Sequence, residues 1–226
     1  TNFPPKRSYV FSEQITLGTM CVLGGSGGVS KTMLTLQMAI ASACGKHLGN
    51  IQVAEGSSLL FLGEEDEAER DRLTRVLTHI ARETGAAVFL LAHSPKSVIS
   101  KQGNEINSAD IAGSSAFVDN ARGAFMMWTM REDEAKNHLV PSTERSEYVR
   151  LENVKANYAR TGGGYWLKRV YLPDWDVAVL EPIYLQSKNL FQARQNSSRA
   201  TQKARWNDGA STKRYVRQGR DAWRIR

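Results

Sequence analysis

Four glycines within five residues, Gly24, Gly25, Gly27 and Gly28, run into Val29-Ser30-Lys31-Thr32 and constrain this chain more than any other stretch. Before them lies the apolar run Met20-Cys21-Val22-Leu23. After them, Met33 to Ala41 carries apolar residues at helical spacing. A strand must therefore turn on glycine into a helix. Glycines let the backbone curl so that successive N–H groups aim at one point, and a helix N-terminus adds partial positive charge there. The pattern G-x-x-x-x-G-K-[ST] falls on Gly25, Ser26, Gly27, Gly28, Val29, Ser30, Lys31 and Thr32. Lys31 is placed to reach outer phosphates, and the Thr32 hydroxyl to ligate Mg2+. Ser30 stands where the pattern has its second glycine. Serine is a good helix N-cap, and its backbone N–H still points inward. A ligand-free glycine turn is the plain alternative, but it leaves the entropic cost of four glycines unexplained.

The rest of the chain alternates strand and helix. Ser57–Leu62 and Ala86–Ala92 read as short buried strands, and 67–84 between them as an amphipathic helix with Leu73, Val76, Leu77 and Ile80 on one face. Val98 to Ala109 is polar and reads as a loop. Ser114–Ala121 reads as a short helix, Ala124–Met130 as a strand, and Arg131–Ser146 as a charged helix and loop. Tyr148–Lys155, Tyr165–Val170 and Val177–Leu185 read as closing strands. Continuously apolar strands alternating with helices imply an α/β fold. The expected sheet is mostly parallel, flanked by helices, with antiparallel strands at its C-terminal side.

Charge divides the chain. Eleven of the 30 Lys and Arg and two of the 23 Asp and Glu fall in residues 187–226, leaving 19 basic against 21 acidic residues elsewhere. The expectation is a near-neutral core, 1–186, and a basic, flexible tail, 187–226, that either meets a polyanion or is a solvated extension that keeps the protein soluble. Trp206, Tyr215 and Trp223 interleave with that charge and offer stacking surfaces for bases. No apolar run approaches bilayer-spanning length, and residues 1–7 lack a signal-peptide core, so the expected setting is cytoplasmic, without a membrane. The two cysteines, Cys21 and Cys44, read as small buried hydrophobes.

In a parallel sheet, ligands bind at the C-terminal strand ends. Those ends carry the glycine loop, then Glu64-Glu65-Asp66, then His93-Ser94. A carboxylate beside a γ-phosphate can orient and deprotonate water, and a polar group on the next strand can sense the phosphate. Alone, each has a plainer reading: an acidic helix start, or a histidine at a strand end.

Taken in order, Val22–Ala39, Leu60–Asp66, Glu83–Lys96, Gly113–Arg122, Val154–Arg160, Tyr165–Arg169 and Val179–Pro182 resemble the RepA-type replicative helicases of plasmids and phages. The resemblance spans about residues 9–185. It implies a RecA-like, ring-forming, hexameric ATPase that moves on single-stranded DNA, with ATP and Mg2+ as cofactors. It implies that Lys31 and Thr32 hold phosphate and magnesium, and that Glu65 activates water. His93 couples nucleotide state to DNA-facing loops, of which 97–112 is one, and Arg122 is the finger offered to a neighbouring subunit. Helical spacing gives Arg122 a plainer role, pairing with Asp119. One departure stands out. The family has a strand ending in a magnesium-associated aspartate before the Glu-Thr-Gly strand, and here that segment is missing after about residue 77. Three explanations stay open: an omitted segment, a degenerate protein or a natural short form. The first is expected, because a sheet without that strand would leave costly unpaired edges; if the short chain is whole, ATP binding is expected to survive better than hydrolysis. Two other readings stay open: a RecA-like regulatory or recombination ATPase without unwinding, and a catalytically inactive nucleotide- and DNA-binding protein.

Overall fold

The computed structural model describes residues 7–12, 14–57, 70–95, 106–111, 115–158 and 164–188. The chain divides into two units, 1–136 with 140–185, and 137–139 with 186–226. The first holds the sheet. In the second, His138 Nδ1 and the Gln186 carbonyl lie 3.3 Å apart.

The sheet is built on β3, Met20–Gly25. It lies between two parallel neighbours, β4 (Val88–His93) and β5 (Gly123–Thr129). Beyond β5 the strands run antiparallel: β6 (Tyr148–Ala156), β7 (Gly164–Leu172) and β8 (Val177–Ile183), giving the order β4-β3-β5-β6-β7-β8. This is the α/β architecture expected from the continuously apolar strands: parallel around the glycine loop and antiparallel toward the C-terminal side.

Both faces of the central strands are buried, because alternate residues go to opposite layers. Cys21, Leu23, Phe125 and Met127 join one core cluster with Leu34, Met38 and Ala41 of α1, Lys31–Ala43. Met20, Val22, Ala124, Met126 and Trp128 join a second with Val118 and Ala121. That second layer is formed by α2 (Arg70–Thr84) through Leu77, and by α3 (Ser115–Asn120). The helix α4, Glu132–His138, contributes Ala135 to a smaller cluster with Met130, Tyr148 and Trp166.

One element is new, and three local expectations change. The segment before β3 folds into a hairpin, β1 (Tyr9–Phe11) with β2 (Ile15–Thr16), whose Phe11 ring edges onto Phe125 at 6.1 Å and Tyr165 at 6.0 Å. Strands this short leave little periodicity to read. The inward stripe of α2 is Thr74, Leu77 and Ala81, while Val76 and Ile80 are exposed. Small side chains let that helix sit close, so the largest apolar residues do not mark the buried face. Cys44 is exposed just past the end of α1, and only Cys21 is buried. The loop expected to face DNA is anchored at its end: Ile106 and Ile111 are buried in the second cluster, and Ser108–Asp110 forms a 3-10 turn capped by Asn107. The expected strand 57–62, from residue 58 on, and Glu64 to Asp66 lie outside the described residues.

Phe11 is 1% exposed and joins the hairpin to the sheet. Phe11→Ala should cost about 3–5 kcal/mol, the usual range for emptying a buried phenylalanine site. Urea unfolding followed by circular dichroism measures it. A loss below about 1 kcal/mol, within the range of ordinary surface changes, would mean that the hairpin is not part of the core.

Candidate functional site

The turn from β3 into α1 is set by close approach on one side and open space on the other. A Cβ on Gly25 would lie 2.6 Å from the Met127 carbonyl oxygen, and its φ of 157° is one that other residues rarely adopt. A Cβ on Gly24 would lie 2.6 Å from Met126 Sδ and 2.8 Å from Ile111 Cγ1. At Gly27 and Gly28 nothing lies within 4 Å of the corresponding position, so the crest of the loop is open to a ligand. Val29, 2% exposed, plugs the far limb of the loop into the core cluster below α1.

Lys31 is folded back onto the loop. Its ammonium donates to the Gly25 carbonyl at 2.7 Å and to the Ser26 carbonyl at 3.0 Å. Partial burial draws the Lys31 pKa below its ordinary value, and an incoming phosphate would oppose that shift. Thr32, next on the helix, is exposed.

Ser30 does not cap the helix as expected. Its φ is 73°, the left-handed region, and its side chain makes no capping hydrogen bond. N-caps bond the first helical N–H groups from an extended backbone. A serine in the glycine conformation of the pattern turns its hydroxyl elsewhere, and here it accepts from Arg169 Nε at 3.2 Å.

Arg169 is the residue that sequence reasoning missed. Period-two alternation puts Tyr165, Leu167 and Arg169 on one face of β7, and the first two pack in the cluster beneath α1. Arg169 continues that row to the glycine loop. Besides Ser30, its guanidinium donates to the Gly28 carbonyl at 3.2 Å and to the Ser146 carbonyl. The sequence signal was present, an arginine at an inward-facing strand position, but its target lies 139 residues away.

The other expected residues divide. His93 ends β4 in register with Gly25, and the Ser94 N–H donates to the Gly25 carbonyl at 3.1 Å. The structure therefore brings His93 beside the loop, with its side chain exposed. Arg122 lies at the other end of the sheet: it precedes Gly123, which pairs with Cys21, whereas Gly25 pairs with Met127. At strand rise that separation is roughly 15 Å, so Arg122 and the loop of the same chain are not brought together. Glu65 lies outside the described residues. Among the described residues no group of three or more His, Cys, Asp or Glu stands ready to hold a metal. The Thr32 hydroxyl is the expected protein donor, and a single hydroxyl fits Mg2+ held mostly by phosphate oxygens and water.

Residues 1–80, which contain the whole glycine loop, match a family described as an AAA domain. Comparison with curated proteins gives no match. Among solved structures, the chain is similar to a phage ATPase domain, with 10% identity and a TM-score of 0.45, covering 71% of this chain and 84% of that one. It is also similar to a DnaB-like replicative helicase described with its interactions with primase, with 10% identity and a TM-score of 0.46. That match covers 74% of this chain and 58% of the other, so the chain spans little more than half of that helicase. No helix among the described residues is long and apolar enough to cross a membrane.

Removing the Lys31 ammonium should weaken MgATP binding by about 10- to 100-fold, the range for a hydrogen bond to a charged group. The fold should persist, because β3 and Val29 hold the loop from below. Titrating Lys31→Ala with a fluorescent ATP analogue, alongside circular dichroism, checks both points. Unchanged affinity in a folded variant would remove the phosphate reading of this loop.

Proposed function

We propose that this chain is an ATP-driven motor of the RecA-like replicative helicase type, working in the cytoplasm as a homo-oligomeric, hexameric ring on single-stranded DNA in a plasmid or phage replication system. The observation that carries the reading is the open crest of the loop at Gly27 and Gly28, backed by Lys31 on the loop carbonyls and flanked by His93 in register with Gly25. The AAA-domain match over residues 1–80 supports nucleoside triphosphate use by the same segment.

In this proposal ATP sits on Gly25 to Thr32, its phosphates facing the loop N–H groups and Lys31. Mg2+, held by Thr32 and the phosphates, would neutralise charge on the transferred phosphoryl group. Glu65 orients and deprotonates the attacking water. His93, on the strand beside the loop, relays the presence of the γ-phosphate toward the 97–112 segment. Arg122 acts in trans: far from its own loop and exposed, it is available to a neighbouring subunit's nucleotide. Residues 1–186 form the ATPase core, and the basic 187–226 tail is an electrostatic arm for DNA.

Assembly is the decisive test. Arg122→Ala and Glu65→Ala should each keep ATP binding and lose hydrolysis, by about 10³–10⁵ for a finger. Mixing the two variants should restore part of the activity, because some interfaces then combine an intact Glu65 with an intact Arg122. A monomer by sedimentation under assay conditions, with no rescue on mixing, would overturn the ring. ATP binding with no turnover in the unmutated chain would instead select the inactive nucleotide- and DNA-binding alternative.

The tail has its own signature. Truncation after Ser187 removes eleven basic and two acidic residues. Affinity for single-stranded DNA should fall. The slope of log affinity against log salt should become shallower by about 0.7 for each phosphate that the truncated protein no longer neutralises. An unchanged slope would return DNA binding to the core.

A further inference from the structure

Ser30 and Arg169 are two irregularities that explain each other. At position 30 the phosphate-loop pattern has glycine, and the backbone here adopts the glycine conformation, φ 73°, with a serine. That serine gives up its role as helix cap. On β7, the row Tyr165–Leu167 ends in a half-buried arginine at a place where an apolar residue would continue the core. All three guanidinium nitrogens are engaged: Nε on Ser30 Oγ, Nη2 on the Gly28 carbonyl, and Nη1 on the Ser146 carbonyl of the 3-10 turn leading into β6. Leu180 of β8, directly across from Arg169, is tied to α1 by a reciprocal pair of bonds with the Gln37 amide, at 3.0 and 2.9 Å. The antiparallel half of the sheet is thereby fastened to both the loop and the helix after it.

We infer that Arg169 is a positioning residue of the phosphate site, a latch supplied in cis by β7. Acting through Ser30 and Gly28, it holds the loop in its phosphate-ready shape. Lys31 fixes the near limb through Gly25 and Ser26, and Arg169 fixes the far limb through Gly28 and Ser30. Between these anchors the crest at Gly27 is left free for the ligand. Arginine is required because only a planar fork reaches a hydroxyl and two carbonyls at once. Lysine carries its three donors on one nitrogen, without the planar fork. Serine at position 30 is tolerated because the latch gives its hydroxyl a charged partner.

The inference rests on the nucleotide reading of the loop, and the experiment separates the two. MgATP affinity is measured with a fluorescent ATP analogue for the full chain, Lys31→Ala, Arg169→Ala, Ser30→Gly and the Ser30→Gly, Arg169→Ala pair, with thermal unfolding of each. Arg169→Ala should weaken binding by about 10- to 100-fold, the range for charged hydrogen bonds. Ser30→Gly alone sets the reference affinity for the pair, since glycine takes the left-handed conformation freely without the hydroxyl partner. In the glycine background the Arg169→Ala loss should shrink clearly, because part of the latch is already gone. Equal losses in both backgrounds, or no loss in either, would overturn the latch. If Arg169→Ala does not fold, Arg169→Lys keeps the stem and charge without the fork. It should still bind weakly, and full affinity there would overturn the proposal too. Failure of the unmutated chain to bind MgATP would remove the nucleotide reading and the latch with it. Binding that is lost in Lys31→Ala but intact in Arg169→Ala would remove the latch alone.

Discussion

The hydrogen-bond ladders on both sides of β3, with both of its faces buried, are the constraint on which the site depends. Met20, Cys21, Val22 and Leu23 are each at most 2% exposed, two toward α1 and two toward α2 and α3. Each such side chain contributes about 1.5–3 kcal/mol when fully buried, so the strand cannot slip or peel without a large loss. Pairing with β4 fixes Gly25 against His93, and pairing with β5 fixes it against Met127. The loop therefore leaves the sheet from a rigid point. Its precision comes from the layers below it and not from its own glycines, which by themselves favour many conformations.

The same division separates the features legible in the sequence from those that were not. Strands buried on two faces are written as unbroken apolar runs, so β3 and β5 could be read within a few residues of their ends. The helix α1 could be read because a phosphate loop opens directly into a helix. The β1–β2 hairpin could not: strands of three and two residues carry no usable period, and its weight in the core comes from one ring, Phe11. The face of α2 was misread because burial there goes to Thr74 and Ala81, residues chosen for size and not for hydrophobicity. Ser30 and Arg169 were missed as a pair because local rules describe serine as a cap and arginine as surface, and only tertiary structure joins them.

The missing segment of the family pattern takes a different form in the structure. Its loss was expected to open gaps inside the sheet, yet β3 has a neighbour on each side. Among the described residues the exposed edge falls on β4 instead, where Val88, Phe89, Leu90 and Leu91 are only half-buried, although they are as apolar as β3. The groups that hold the loop and face its crest come from β3, β4, β7 and α1. Glu65, the proposed water-activating group, belongs to the segment before α2 and not to those elements.

The serine in the loop is likewise held by a distant element. A non-glycine residue in the left-handed region costs roughly 1–2 kcal/mol. A hydrogen bond to a charged group contributes about 1.5–3 kcal/mol. These magnitudes are comparable, so serine with Arg169 and glycine without it are near-equivalent solutions for the loop's stability. They are not equivalent for its motion. Glycine leaves the far limb free to rearrange around a ligand, whereas serine bound to Arg169 ties that limb to β7, and through Ser146 to the turn before β6. In this chain the departure from the glycine pattern ties the loop to β7 and to the turn before β6.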